Sequence, residues 1–174
     1  KISLPFISLS IPASEKDGMV QVKNLLGDYL SEQKKKLHQE GEDTEVKDVC
    51  TIDNSPEFIA LAVNRYTNIT ERNETMIDIN TDILPFKTMD NYDIKGISYN
   101  LHSLVCLRSQ TALTGHYYSV LYTKEEIDGK TVGTWYKFDD LQDPCMSKID
   151  VRDGETIHDI ASNVVFLLYK SSLV

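Results

Sequence analysis

The stretch from Gly115 to Asp140, which reads GHYYSVLYTKEEIDGKTVGTWYKFDD, contains two strand-forming runs on either side of a short turn. Tyr117 to Thr123 and Thr131 to Phe138 are rich in aromatic and β-branched residues, which are favoured in strands. Asp128-Gly129, between the two runs, is typical of a two-residue hairpin turn. The stretch therefore predicts an antiparallel hairpin, from which the interpretation of the whole chain starts.

The predicted hairpin brings His116 and Asp139 together at its open end, because arms of equal length place them nearly opposite one another. A carboxylate in that position would accept a hydrogen bond from one imidazole nitrogen, fix the tautomer and raise the basicity of the other nitrogen. Such a pair is the base and its orienting group in a nucleophilic triad. A packed, hydrogen-bonded histidine without a chemical role fits the same spacing, so the pair alone leaves both interpretations open.

Before the hairpin, the apolar pattern predicts one helix. Apolar residues at helical spacing indicate an amphipathic helix over residues 20–38, with a Lys-rich outer face that includes Lys34 to Lys36. The residues that carry the pattern are Val22, Leu25, Leu26, Tyr29 and Leu30. The acidic segment from Gln39 to Asp48 then predicts an exposed excursion.

The remainder of the chain is mostly strand pattern. Phe58 to Val63 is a short apolar run, typical of a strand buried on both faces. The other predicted strands are Ile2–Ile11, Met76–Ile79, Ile97–Leu107 and Val164–Tyr169, and a short helix is expected around Ile157 and Ile160. This order indicates an α+β fold with a mostly antiparallel sheet, one amphipathic helix and a short C-terminal helix.

The composition argues against nucleic-acid-binding and membrane-spanning proteins. The chain has 174 residues and a formal net charge of −9, which fits one domain or a piece of a larger one. The negative charge argues against nucleic acid as a partner, because a phosphate-binding surface needs clustered Lys and Arg. No apolar run reaches the roughly 18 residues of a membrane span, so we expect no membrane partner and a cytoplasmic or nuclear location. The chain starts at Lys1 rather than Met, so we expect it to come from a longer protein.

The cysteines and the remaining histidines predict neither a metal site nor a cofactor. Cys50, Cys106 and Cys145 are too few and too scattered for a disulfide framework or a zinc site. Because free cysteine is usually buried, Cys106 and Cys145 are each interpreted as a small apolar residue or a bystander. His38, His102 and His158 are expected to be structural or solvent-facing, and Trp135 is expected to pack on the sheet.

The hairpin stretch also resembles the histidine box of the ubiquitin-specific proteases (USP/UCH type 2, peptidase C19). Gly115-His116-Tyr117 and the run from Trp135 to Asp140 carry this resemblance. Other segments resemble segments of the same family, in the same order along the chain. They are Pro5–Pro12, Pro56–Tyr66, Tyr99–Val105 and Phe166–Tyr169.

The resemblance implies a papain-like cysteine protease that hydrolyses the isopeptide bond after the C-terminal glycine of ubiquitin. His116 matches the general base, Asp139 the residue that orients it, and Asp140 a supporting acidic position. Gly115 and Tyr117 match the part of the cleft that receives the ubiquitin tail. Ubiquitin or ubiquitinated proteins are therefore the expected partners.

The resemblance covers the C-terminal half of such a catalytic domain. Nothing in the sequence matches the family's N-terminal Cys box, so we expect no nucleophile in this chain and the Cys-box half as a further partner. We expect residues 1–56 to form the helix and a reduced fingers region, and residues 57–174 the palm sheet with the histidine box. Three explanations stay open: part of a complete enzyme, an inactive member that binds ubiquitin or scaffolds a complex, and an unrelated binding domain.

Overall fold

The computed structural model describes residues 6–11, 19–31, 33–39, 42–48, 56–79, 83–90 and 93–172. Within these ranges the chain forms two helices, α1 (Val22–Leu30) and α2 (Gly154–Asn163), and twelve strands. The strands are β1 (Ile7–Ser10), β2 (Met19–Gln21), β3 (Gln33–Gln39), β4 (Glu42–Asp48), β5 (Phe58–Asn64), β6 (Met76–Asp78), β7 (Ile83–Asp90), β8 (Asp93–Arg108), β9 (His116–Ile127), β10 (Lys130–Phe138), β11 (Met146–Ile149) and β12 (Val164–Ser171).

The predicted hairpin is formed by β9 and β10. Asp128 and Gly129 between them both have positive φ, 51° and 71°, as the favoured two-residue hairpin turn requires. The register pairs Lys130 with Ile127 and Phe138 with Ser119. His116 and Asp139 consequently lie at the same open end, as the sequence predicts.

Most strands belong to one eight-stranded sheet in the order β1-β5-β12-β8-β9-β10-β11, with β7 pairing to β8 beside this path. Its pairs are antiparallel except for β1 with β5, which is parallel. β2 and β6 form a small parallel sheet, and β3 and β4 form a separate hairpin. This arrangement of strands, together with the two helices, confirms the predicted α+β fold.

The core lies on the face of the sheet where alternate residues of the central strands meet the helices. Leu61 of β5, Val120 of β9 and Leu167 of β12 are fully buried there. α1 packs on β1 and β2, while α2 packs on β6 and β8. The residue Asp153 caps α2, since its carboxylate accepts a hydrogen bond from the Thr156 backbone N–H at 3.0 Å.

The burial of β5 differs from the prediction of a strand buried on both faces. Ile59, Leu61 and Val63 are buried, but Ala60 and Ala62 on the other face are only half-buried. A short apolar run does not distinguish these two environments, because small residues such as alanine are compatible with a partly exposed face. The prediction was therefore wrong for one face of this strand.

The predicted helix over 20–38 was also too long. α1 ends at Leu30, Ser31 has extended backbone angles (φ −73°, ψ 154°), and Lys34 to Lys36 lie on β3 instead of on a helix face. The apolar spacing that anchors α1 to the core stops at Leu30. In the β3–β4 register Lys36 pairs with Glu45 and His38 with Asp43.

Arg65, which follows β5, is buried and holds together segments that are distant in sequence. Its guanidinium group donates hydrogen bonds to four backbone carbonyl oxygens, those of Val164 (2.7 Å), Ala161 (2.7 Å), Thr75 (2.9 Å) and Asn73 (3.3 Å). Burial lowers the pKa of Arg65 to about 10, so the group stays protonated at neutral pH. Arg65 therefore satisfies carbonyl oxygens at the C-terminal end of α2 that the helix itself leaves without partners.

Some predicted elements lie outside the described residues. They are the first residues of the Ile2–Ile11 strand and Cys50. Of that first strand, β1 covers Ile7 to Ser10. Among the residues that the structure describes, no helix is long and apolar enough to cross a membrane.

Candidate active site

The β9–β10 hairpin positions an imidazole and a carboxylate within hydrogen-bond distance. His116 is the first residue of β9, and Asp139 directly follows the last residue of β10. His116 Nε2 lies 2.6 Å from Asp139 Oδ1. The backbone N–H of Asp139 donates to the Cys145 carbonyl oxygen at 2.8 Å, and its carbonyl oxygen accepts from the Gln142 N–H at 3.0 Å. These backbone bonds fix the carboxylate at the start of a turn.

The charge state of Asp139 determines the tautomer of His116. Burial by itself raises the pKa of Asp139, but the hydrogen bond from His116, the nearby Lys137 ammonium group and the hydrogen bond from the Leu141 backbone N–H lower it below its usual value. Asp139 is therefore an anion at neutral pH and accepts the hydrogen from Nε2. The lone pair of His116 then lies on Nδ1, which is free to accept a proton from another group.

Asp140 is the third predicted residue of this cluster. Its Oδ1 lies 3.7 Å from His116 Nδ1, and its side chain is 86% exposed. This distance is too long for a direct hydrogen bond. Asp140 thus places negative charge near the proton-accepting nitrogen without occupying it.

Within the described residues, one set of side chains has ligand atoms close enough together to hold a metal ion. The set is His116, Asp139 and Asp140, whose ligand atoms lie within 4.8 Å of one another. Two contacts favour hydrogen bonding over metal binding. Asp139 Oδ1 already bonds His116 Nε2, and Asp139 Oδ2 lies 3.1 Å from Lys137 Nζ. A cation at that distance opposes the binding of a second one.

Gly115 lies in close contact with the strand next to it. A Cβ added there would lie 2.5 Å from Ser109 Cβ, 2.6 Å from Leu107 Cδ1 and 3.1 Å from the Arg108 carbonyl oxygen. The absence of a side chain at this position therefore lets the end of β8 approach the start of β9. Sequence reasoning missed this packing role.

We expect Gly115→Ala to destabilise the chain by about 1–3 kcal/mol, because overpacking at a rigid position forces the backbone to shift. Urea unfolding measures the loss. Gly154→Ala is the matched control, since nothing lies within 4 Å of a Cβ added there. Equal stability of the two variants would contradict the close approach.

A shallow groove of about 300 Å³ runs beside the pair. Tyr117, Phe138, Asp140 and Cys145 are among the residues that line it. Tyr117 is 60% exposed, because strand alternation points it away from the core that holds Tyr118. Gly115 and Tyr117, the two predicted cleft residues, flank His116 in the sequence. Of the two, only Tyr117 lines the groove.

Within the described part of the chain, Cys106, His102, His158 and Trp135 have the surroundings that the sequence predicts, whereas Cys145 is exposed. Cys106 is buried on β8, and burial raises the pKa of its thiol to about 12. Cys145 is exposed in the loop before β11. His102 packs near the Phe58 ring with centroids 5.8 Å apart, His158 is exposed on α2, and Trp135 packs against Tyr122 at 5.1 Å.

Sequence reasoning missed the cations around Asp139. Lys137 Nζ and Arg108 Nη1 lie 3.1 Å and 3.6 Å from Asp139 Oδ2. Arg108 also makes a two-point contact with Asp159 of α2, at 2.6 Å and 3.2 Å. The alternation of side chains along β10 could have predicted the contact of Lys137 with Asp139, because residues two positions apart on a strand share a face.

The lowered pKa of Asp139 predicts how the stability of the chain depends on pH. An anion that is stabilised in the folded state contributes stability above its ordinary pKa of about 3.9, and the contribution is lost as the pH falls through the lower folded value. We expect Asp139→Asn to be less stable than the parent chain at pH 7. The difference in unfolding free energy between the two chains should narrow below about pH 4, as measured by urea unfolding at each pH. A difference that does not change with pH would contradict the ionised state of Asp139.

Comparison with known proteins finds solved structures with a similar fold but no similar sequence. No protein-family model matches the chain. No curated protein sequence matches it either.

Solved structures of SAGA deubiquitinase (DUB) modules do match the fold. The Ubp8/Sgf11/Sus1/Sgf73 module bound to ubiquitin aldehyde matches with a TM-score of 0.63 at 17% identity, over 95% of this chain and 35% of that chain. The Ubp8-Sgf11-Sgf73-Sus1 module matches with a TM-score of 0.62 at 22% identity, over 95% and 33%. A module bound to monoubiquitin matches with a TM-score of 0.61 at 18% identity, over 95% and 35%.

The chain thus spans about a third of the length of the solved chains that it matches. At these identities the likeness concerns the fold. We conclude that this chain has a ubiquitin-specific-protease-like fold, as found in these deubiquitinase modules.

Proposed function

We propose that this chain supplies the general base and its orienting carboxylate to a thiol-dependent deubiquitinase. The observation that carries the proposal is the 2.6 Å contact between His116 Nε2 and Asp139 Oδ1, which leaves Nδ1 as the proton acceptor. The fold shared with the Ubp8 modules supports it. In this proposal the chain corresponds to the C-terminal half of the catalytic domain, and the nucleophilic cysteine belongs to a Cys-box half.

The proposed reaction hydrolyses the isopeptide bond after the C-terminal glycine of ubiquitin. His116 Nδ1 takes the proton of the thiol, and the thiolate attacks the glycine carbonyl carbon. The imidazolium then protonates the leaving lysine amine as the C–N bond breaks and a thioester remains. His116 next takes a proton from water, which attacks the thioester and releases the ubiquitin carboxylate while the thiol is protonated again.

The other residues have positioning roles in this proposal. Asp139 holds the Nε2–H tautomer and stabilises the imidazolium as it forms. Asp140, near Nδ1, contributes negative charge on the same side. The groove lined by Tyr117 receives the extended ubiquitin tail, which reaches the hairpin beside Gly115.

The proposal is tested with ubiquitin that carries an electrophile at its C-terminus. The protein that contains this chain together with the Cys-box half should form a covalent adduct, and ubiquitin without its last glycine should compete poorly. Ubiquitin binding without adduct formation would instead identify the protein as a ubiquitin-binding module, a function that the groove also permits. Absence of both binding and adduct would overturn both functions.

The chain itself allows a second measurement. Titration with ubiquitin, followed by amide chemical shifts, should move signals of Gly115, Tyr117 and Asp140 more than those of β3 and β4. Shifts confined to residues far from the groove would contradict its proposed role.

A further inference from the structure

The second oxygen of Asp139 has charged neighbours that the proposed reaction does not use. Asp139 Oδ1 bonds His116, whereas Oδ2 lies 3.1 Å from Lys137 Nζ and 3.6 Å from Arg108 Nη1. The Asp139 side chain is only 1% exposed, so water does not screen these contacts strongly. One carboxylate thus faces an imidazole on one side and two cations on the other.

Both cations are held in place by the sheet. Lys137 lies two residues before Asp139 on β10, and Arg108 is the register partner of His116 on β8. The ring of Tyr118 lies near both, with its centroid 4.6 Å from Lys137 Nζ and 4.7 Å from Arg108 Cζ. Contact with an aromatic ring stabilises a cation that has lost part of its hydration.

Helix α2 adds an anion to this network. Asp159 bonds Arg108 at 2.6 Å, and the Tyr118 hydroxyl donates to Asp159 Oδ2 at 2.8 Å. Burial raises the pKa of Asp159, but the hydrogen bonds from Arg108 and Tyr118 lower it below its usual value. Arg108 is therefore shared between Asp159 and Asp139, while Lys137 makes the shorter contact with Asp139.

The network counteracts a problem that a buried carboxylate creates for a general base. An anion 2.6 Å from an imidazole favours the imidazolium strongly when solvent is excluded. An imidazole that stays protonated cannot take a proton from a thiol. A cation on the far side of the carboxylate offsets part of this effect and keeps the carboxylate itself ionised.

We propose that Lys137 and Arg108 are positioning residues that share the charge of Asp139, so that Asp139 orients His116 without fixing it as an imidazolium. The importance of this arrangement for catalysis rests on the proposed function. Among the described residues, the charged and titratable groups around the pair include Asp140 on the Nδ1 side, Lys137 and Arg108 on the Oδ2 side, and Asp159 and Tyr118 behind Arg108. Tyr117 and Cys145 line the adjacent groove. Asp140 is well exposed, so solvent screens its effect on His116.

An NMR titration of the 174-residue chain tests this inference. The ring signals of the four histidines are followed with pH, and the spectrum of His116→Gln identifies those of His116. In Lys137→Met the titration midpoint of His116 should rise by about one pH unit, a tenfold gain in proton affinity. Methionine keeps the apolar stem on the Tyr118 ring, so the change removes mainly the charge.

Matched variants separate charge from packing. Lys137→Arg restores a cation, and its midpoint should lie within about 0.3 pH units of the parent. Lys148, on the adjacent strand β11, has a side chain that is 58% exposed, and its Nζ lies 3.8 Å from Glu125 Oε2. Lys148→Met should leave the titration midpoint of His116 unchanged. Arg108→Gln should raise the midpoint less than Lys137→Met, because Arg108 is farther from Asp139 and more exposed.

An unchanged or lowered midpoint in both Lys137→Met and Arg108→Gln would overturn the inference. Thermal unfolding by circular dichroism establishes that each variant is folded, and a folded Arg108→Gln decides the question if Lys137→Met does not fold. The titration needs neither a thiol nor ubiquitin. Failure of the parent protein to react with the ubiquitin electrophile would therefore overturn the proposed function and leave the titration result as it stands.

Discussion

Replacement of His116 by alanine is expected to reduce adduct formation with the ubiquitin electrophile by about 10³-fold or more. The reason is that the variant lacks the proton acceptor, Nδ1, that converts the thiol into a thiolate. Ubiquitin binding should survive, since the groove beside Tyr117 and Phe138 is unchanged. The rate of labelling and the dissociation constant, measured on the protein that carries the Cys-box half, report the two effects separately.

His158→Ala is the matched control for this experiment. His158 is an exposed histidine on α2, and its loss should leave the labelling rate within about twofold of the parent, as expected for a surface position. Unchanged labelling in His116→Ala would show that the thiol is activated in another way. Loss of labelling and of ubiquitin binding together would point to a folding defect instead, which thermal unfolding would reveal.

Replacement of Arg65 by methionine is expected to cost about 3–5 kcal/mol of unfolding free energy, the largest stability effect of any single change proposed for this chain. The change leaves four buried or part-buried backbone carbonyl oxygens without their donor. Two of them belong to Ala161 and Val164, where α2 joins β12. Urea unfolding followed by circular dichroism measures the loss.

Two further variants make this result specific. Arg152→Met removes an exposed arginine from the loop before α2 and should change stability by less than about 0.5 kcal/mol. Arg65→Lys should recover only part of the loss, because one ammonium group does not reproduce the planar fork of donors. A stability of Arg65→Met close to that of the parent would mean that the four carbonyl oxygens find other partners.

The sequence was sufficient for the parts of the structure that local pattern controls. The β9–β10 hairpin was predicted because a turn of two residues requires positive φ and Asp128-Gly129 adopts it readily. The closeness of His116 and Asp139 followed from that hairpin alone. The α+β class also followed, since strand periodicity dominates after residue 56.

The errors concern features that depend on distant residues. The end of α1 was placed too late because helical spacing is judged from neighbouring residues alone. The pairing of β3 with β4, which makes the residues after Leu30 a strand, depends on residues farther along the chain. Arg108 and Asp159 were missed for a similar reason, whereas Lys137 had a local signal in the alternation of β10. Arg108 reaches the site through the β8–β9 register, and Asp159 through the packing of α2, neither of which has a local sequence signature.

The position of the His116–Asp139 pair within one hairpin has a consequence for the order of folding. The central strands of the sheet join residues far apart in sequence, for example Leu61 with Leu167, and such non-local contacts form slowly because a long loop must close first. The hairpin closes only a two-residue loop and belongs to the fastest elements to form. The imidazole and its carboxylate can therefore be assembled early, on a local unit, before the sheet around them is complete.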